Sequence, residues 1–157
     1  MNPFEALVAD LEQEALLYAD MLELARELGV LAALDPDEVD WDAFLELLER
    51  RQELARRIDG LQEDARQRSR ALGILQAGDA ARVLDPGQQR RLGRQVQAVR
   101  ELVEALAARD EETVRALRAG IARVEARLGQ ARGARKALQA YGPGAGPPEA
   151  WFFDRKK

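Results

Sequence analysis

One stretch in the middle of the chain constrains the fold more than any other. From residue 44 to residue 75 the sequence keeps a 3-4 alternation over more than four heptads, at Phe44, Leu47, Arg51, Leu54, Ile58, Leu61, Ala65, Arg68, Leu72 and Leu75. This repeat is typical of an α-helix that packs along its length against another helix. The sequence therefore predicts a long coiled-coil-like helix whose apolar seam is interrupted by two arginines, Arg51 and Arg68.

A first helix is predicted before this seam. Asn2 is expected to be its N-cap and Pro3 its first residue, since proline is tolerated there. Asp35-Pro36 disfavours continuation, so the helix is expected to end near Leu34. Asp40 is then the expected N-cap of the second helix. Two adjacent apolar stripes make the first helix wide enough to contact two neighbours, at Phe4, Val8, Leu11, Ala15, Tyr18, Leu22 and Ala25 and at Leu17, Met21, Leu24, Leu28 and Leu31.

A third helix is predicted from Asp85-Pro86 to Ala140. Its seam comprises Leu92, Val96, Val99, Val103, Leu106, Val114, Leu117, Ile121, Val124, Leu128, Ala131 and Leu138. The spacing is irregular across Arg109-Asp110, and Asp110 followed by two glutamates has the character of a fresh helix start. The sequence predicts a kink or short break near Asp110.

The fold class follows from these segments and from the composition. Charged residues make up 33% of the chain and aromatic residues only 5%, a mixture typical of long helices. We expect an all-α fold of three long helices in an elongated antiparallel coiled-coil-like bundle over residues 1–140. Residues 141–157 are expected to form a mobile Gly/Pro-rich tail with an aromatic and basic end.

Several classes of function are not expected. The chain has neither cysteine nor histidine, so it lacks thiol chemistry, the commonest general base and the commonest metal ligand. An enzyme, a cofactor site and a metal site are therefore not predicted. The N-terminal segment turns acidic at Glu5, and the longest apolar run, residues 28–34, is too short to span a membrane. We expect a soluble cytoplasmic protein without membrane insertion.

Charge is distributed unevenly along the chain. Residues 1–49 carry fourteen acidic residues and one basic residue, whereas residues 50–100 carry twelve arginines and six acidic residues. A basic segment can indicate nucleic-acid binding. No aromatic residues interleave with these arginines, however, and the acidic first helix offers them an internal partner. Nucleic acid is therefore not the expected partner.

The C-terminal part of the chain is the candidate binding region. Gly120, Gly129 and Gly133 weaken the end of the third helix, which favours either ordering on binding or the close approach of another helix. Farther on, Trp151, Phe152 and Phe153 form an aromatic triplet that would be a liability if exposed. They are expected to dock either on the bundle or on a partner.

The seam sequence ERRQELARRIDGLQEDARQR and the chain's C-terminal motif together resemble the FlgN family. The motif places a tyrosine and glycines at the end of the last helix and a basic element at the chain terminus, at Tyr141, Gly142, Gly144, Gly146, Asp154, Arg155 and Lys156. FlgN proteins are flagellar type III export chaperones for hook–filament junction proteins. The resemblance covers the whole chain in pattern and the tail in motif.

The resemblance implies a cytoplasmic, non-enzymatic chaperone. It would bind the amphipathic C-terminal helix of hook-associated proteins and deliver them to the flagellar export gate. The implied client-binding residues are Leu117, Ile121, Val124, Leu128, Ala131 and Leu138. Tyr141 is the implied gate-contacting residue, and Trp151, Phe152 and Phe153 are candidates for docking on the gate or on a partner. A monomer is expected rather than a homodimer. The alternatives are a structural homodimeric coiled coil and a nucleic-acid-binding helical protein.

Overall fold

The computed structural model describes residues 1–141 of the chain. Within them the structure contains the helices α1 (Pro3–Ala32), α2 (Trp41–Ala71), α3 (Asp79–Val83) and α4 (Pro86–Tyr141), and one 3-10 helix (Pro36–Glu38). The predicted all-α fold with three long helices is confirmed. Residues 142–157 lie outside the described residues, and so do the predictions of a mobile tail and of a docked aromatic triplet.

The predicted helix starts are confirmed by their capping interactions. The side chains of Asn2 and Asp40 each accept a hydrogen bond from the backbone N–H three residues later, at 2.9 and 3.1 Å. Before α4, Asp85 and Gln88 exchange two hydrogen bonds: each side chain accepts one from the backbone N–H of the other residue. This reciprocal capping box satisfies two backbone donors that the helix cannot use internally.

The first two long helices end close to the positions that the sequence indicates. α1 ends at Ala32, two residues before Leu34, and α2 ends at Ala71, two residues before Gly73. Gly73 follows α2 with φ at 84°, in the left-handed region that glycine adopts without steric cost. The predicted seam position Leu75 is therefore wrong, because it lies in the loop after this helix end and is exposed.

The short helix α3, which the sequence did not predict, is part of the loop between α2 and α4. The buried carboxylate of Asp79 accepts hydrogen bonds from the backbone N–H groups of Leu75 and Gln76, both at 2.9 Å. Arg82 also pairs with this carboxylate. These hydrogen bonds lower the pKa of Asp79, and they hold the loop in a defined conformation.

Residues Met1–Ala116 form one compact unit, and a second unit begins at Leu117. In the first unit, α1 and α2 are antiparallel. Asp10 accepts a hydrogen bond from Arg68 at 2.5 Å, and Glu14 accepts one from Gln62 at 2.9 Å. Residues later in α1 therefore face residues earlier in α2.

The predicted domain boundary between residues 140 and 141 stays a prediction.

The part of α4 that belongs to the first unit runs parallel to α1. Arg91 donates to Glu5 at 2.6 Å near the start of both helices. Near their other end, Thr113 Oγ1 lies 3.4 Å from the position that a Cβ atom on Gly29 would occupy. Because α2 is antiparallel to α1, it is antiparallel to this part of α4 as well. Three neighbouring long helices necessarily include one parallel pair.

The core lies where the wide apolar face of α1 meets both other helices. One cluster of buried residues joins α1, α2 and α4, at Leu17, Met21, Leu22, Ala25, Ile58 and Leu106. A second cluster, near the start of α1, combines Phe4 and Val8 with Leu84. Both predicted stripes of α1 contribute to these clusters.

The predicted break near Asp110 does not occur, because α4 is helical from Pro86 to Tyr141, and the predicted kink stays a prediction. The Asp110 carboxylate accepts two hydrogen bonds from the Arg51 guanidinium of α2, both at 2.6 Å. It therefore serves as an interhelical partner instead of a new N-cap. The same hydrogen bonds raise the pKa of Arg51. The irregular seam spacing marks the position of an ion pair between α2 and α4, within an uninterrupted α4.

We predict that Asp110→Ala destabilises the protein by about 1–2 kcal/mol, because the Arg51 guanidinium loses two charged hydrogen bonds while both side chains remain partly in water. Chemical denaturation of the full chain measures the free energy of unfolding. Glu111→Ala, an exposed neighbour with the same charge, is the control and should change it by less than about 0.5 kcal/mol. Equal effects of the two substitutions would contradict this role of Asp110.

Candidate partner-binding helix

The part of α4 from Leu117 to Tyr141 belongs to the second unit and carries a regular apolar seam. We call it the C-terminal seam, and it consists of Leu117, Ile121, Val124, Leu128, Ala131, Arg135 and Leu138. Successive positions are four and three residues apart, as in a coiled coil. Six of the seven positions are the client-binding residues that the sequence predicted, and Arg135 is the seventh.

Most of the C-terminal seam is exposed. The exposed fractions are 58% for Ile121, 50% for Leu128 and 71% for Leu138. Ala131 is also exposed, whereas Leu117 and Val124 are half-buried. In the first unit the seam residues Ile58 and Leu106 are buried. The structure thus places the predicted client-binding residues on one helix face, and much of that face is open to solvent among residues 1–141.

Tyr141 is the last described residue and is 90% exposed. The other predicted docking residues, Trp151, Phe152 and Phe153, lie outside the described residues. Of that predicted group, the structure places Tyr141 alone, at the end of α4 and accessible to a partner.

Two glycines of this segment have open space around them. A Cβ atom added at Gly129 or Gly133 would meet no described atom within 4 Å. Close approach of another described helix therefore does not explain either glycine. Both positions are helical in the structure, although glycine costs about 1 kcal/mol relative to alanine in a helix interior. The helical segment is therefore less stable than a helix of the same length with alanine at these positions.

The electrostatics of this segment differ from those of the bundle. Residues 117–141 carry six basic residues and a single acidic residue, Glu125. Of the twelve arginines between residues 50 and 100, six form ion pairs with carboxylates of the first unit, namely Arg51, Arg56, Arg66, Arg68, Arg82 and Arg91. The middle of the chain uses much of its positive charge internally, whereas the C-terminal segment has few carboxylates of its own.

The buried polar groups of the first unit serve packing. Gln62 donates hydrogen bonds to Glu14 at 2.9 Å and to the Tyr18 hydroxyl at 3.3 Å. Burial and the nearby Glu14 carboxylate raise the pKa of Tyr18. These hydrogen bonds satisfy polar atoms of buried and half-buried side chains where α1 meets α2.

The groove between α1 and α2 is lined mainly by acidic residues. The groove between α1 and α2 has a volume of about 400 Å³ and is lined by Asp20, Glu23, Leu24, Glu27, Arg50, Glu53 and Leu54. Within residues 1–141, no cluster of three or more acidic residues is arranged to hold a metal ion. No helix in this part of the chain is long and apolar enough to cross a membrane.

Comparison with known protein families, with curated proteins and with solved structures finds no match for this chain. What the C-terminal seam can do therefore follows from its own residues. It offers an apolar stripe about 30 Å long on a single helix, and basic side chains accompany that stripe. The arrangement suits a second amphipathic helix.

We predict that replacing both Gly129 and Gly133 by alanine raises the helicity of the free protein. Each substitution should stabilise the segment by about 1 kcal/mol, since the added methyl groups meet open space. Circular dichroism at 222 nm, followed during heating, measures the effect on the least stable helical part. Gly60→Ala in α2, which is equally open, is the control and should affect only the main unfolding transition. An unchanged profile for the double variant would contradict a weakened terminal helix.

Proposed function

We propose that this protein is an export chaperone of the FlgN type. It binds the amphipathic C-terminal helix of hook-associated proteins and delivers them to the flagellar type III export gate. It acts in the cytoplasm and performs no chemical reaction of its own. The resemblance of the chain's second seam and C-terminal motif to that family gives the proposal its client and its destination.

The exposed C-terminal seam is the observation that carries the proposal. Ile121, Leu128 and Leu138 are at least half exposed on one helix face. Full burial of an aliphatic side chain of this size contributes roughly 1.5–3 kcal/mol, so covering the seam provides a substantial driving force for association. An amphipathic helix lays its apolar face on such a stripe through anchors at i, i+3, i+4 and i+7.

The weakness of the segment suits a chaperone that must release its client. Gly129 and Gly133 lower the intrinsic stability of the helix, so part of the binding free energy is used to order the segment. Affinity is thereby kept moderate without loss of the apolar contact area. A client helix is covered during transit and can leave when another surface competes for it.

The end of α4 is the proposed docking element for the export gate. Tyr141 is almost completely exposed, and an amphipathic aromatic side chain of this kind is a common anchor in protein interfaces. Trp151, Phe152 and Phe153 follow it in sequence and belong to the same proposed element. Client binding and gate docking then use neighbouring but different residues.

The proposal predicts saturable binding of a synthetic C-terminal helix of a hook–filament junction protein, accompanied by a gain in helicity. Titration calorimetry and circular dichroism on the same mixture measure both. Ile121→Asp and Leu128→Asp should each weaken binding at least tenfold, because a charge in an apolar contact is costly. Leu16→Asp, which changes an aliphatic residue of α1 that is 62% exposed, is the control and should bind like the wild-type chain.

Two outcomes would contradict the proposal. Absence of binding at high peptide concentration would leave the exposed seam without a client of this class. Equal weakening by Leu16→Asp and Ile121→Asp would place binding elsewhere or reduce it to nonspecific association. In either case the FlgN-type assignment would lose its structural support.

A structural homodimeric coiled coil is the second candidate, since a second copy could also cover the exposed seam. The charge of the segment disfavours it. Pairing residues 117–141 with the same segment of another copy brings together two helices that each carry six basic residues and one acidic residue. Light scattering over a range of protein concentrations separates the candidates, because the chaperone should have the mass of a monomer without its client.

A further inference from the structure

Both arginines in the seam of α2 pair with an aspartate of a neighbouring helix. Arg51 donates two hydrogen bonds at 2.6 Å to Asp110 of α4, and Arg68 donates one at 2.5 Å to Asp10 of α1. In both cases the carboxylate comes from the helix that faces the seam. Each hydrogen bond raises the pKa of its arginine. The bundle therefore matches each seam arginine of α2 with an aspartate from a neighbouring helix.

The physical reason is the cost of placing a guanidinium in an apolar seam. A side chain at such a position loses part of its hydration when the facing helix arrives, and a carboxylate restores its hydrogen bonds with matching planar geometry. Without that carboxylate, a charge is left partly desolvated and unpaired. A polar residue at a seam position also fixes the register of the two helices.

The C-terminal seam contains a third arginine at an equivalent position. Arg135 lies four residues after Ala131 and three before Leu138. In the 4-3 alternation this is an inward-facing position, which means that it faces a helix packed on the seam. It forms no ion pair among residues 1–141 and is exposed. Glu125, the one acidic residue of the segment, is ten residues away and off the seam, about 15 Å along the helix. The segment itself therefore supplies no carboxylate that could pair with Arg135.

We propose that the occupant of the C-terminal seam is a single amphipathic helix of another protein that carries a carboxylate at the inward-facing position opposite Arg135. Its apolar residues cover Ile121, Leu128 and Leu138, and its carboxylate pairs with the guanidinium and sets the register. This inference rests on the proposed function, in which a client helix covers the seam. It adds the chemical requirement by which one amphipathic helix is selected over others.

A second copy of the segment does not meet this requirement. In a parallel pair Arg135 would face Arg135 of the other copy. In an antiparallel pair it would face an apolar seam position, since none of the seven seam residues is acidic. Both arrangements leave a guanidinium unpaired in a forming interface. The charge pattern therefore points to a foreign helix with at least one inward-facing aspartate or glutamate.

A glutamate scan tests the inference on the full chain. The probes are designed amphipathic peptides about four heptads long, identical except that a single glutamate occupies each inward-facing position in turn, with a glutamine peptide for each. Titration calorimetry should find one glutamate position that binds roughly tenfold or more tightly than the others and than its own glutamine peptide. The scan needs no assumption about the direction in which the helix binds.

Charge reversal identifies the residue responsible. Arg135→Glu should abolish the preference, and lysine at the preferred peptide position should then restore tight binding. Lys136→Glu makes the same change of charge on the adjacent residue, which lies off the seam, and should keep the wild-type preference. If Lys136→Glu and Arg135→Glu have the same effect, the interaction is general charge attraction and the inference is overturned.

The remaining outcomes separate this inference from the proposed function. If the peptides bind equally well wherever the glutamate stands, the proposed carboxylate opposite Arg135 is overturned. The proposed binding of a helix to the C-terminal seam would still hold. A wild-type dimer in light scattering that dissociates on Arg135→Glu would assign the pairing to a second copy and overturn the foreign helix. Failure of every designed peptide, and of the junction-protein helix as well, would contradict the proposed function and this inference with it.

Discussion

The two-sided apolar face of α1 is the constraint on which the rest of the fold depends. It buries residues against both α2 and α4. In the first unit this face packs with Ile58 of α2 and Leu106 of α4. In the second unit, Ile121, Leu128 and Leu138 of α4 are at least half exposed among residues 1–141.

The sequence was sufficient for the parts of the fold that depend on local chemistry. Helix starts at Asn2, Asp40 and Asp85 followed from capping residues, and the seam of α2 followed from its 3-4 alternation. The predicted break at Asp110 was wrong because that residue is satisfied by Arg51, 59 residues earlier in the chain. A pairing over such a distance leaves no trace in the local pattern. Leu75 was misplaced for a different reason, since Gly73 ends the helix before the apolar repeat itself ends.

The residues of the candidate site were predictable from the sequence, whereas their exposure to solvent was not. Seam periodicity placed Ile121, Leu128 and Leu138 on one face, but the same periodicity describes buried and exposed seams equally well. Only the structure separates the covered seam of α2 from the exposed one after Leu117. Arg135 was passed over because the pattern was built from apolar residues. The seam arginines Arg51 and Arg68 were the signal that could have found it, once their aspartate partners were known.

The central claim is that the C-terminal seam is the surface that accepts a client helix. Hydrogen exchange of the full chain, measured by mass spectrometry with and without the junction-protein helix, tests this claim directly. The account predicts fast exchange in residues 117–141 of the free protein and strong protection of those amides on binding, with little change in α1 and α2. Protection confined to the first unit, or slow exchange of residues 117–141 before any client is added, would contradict it.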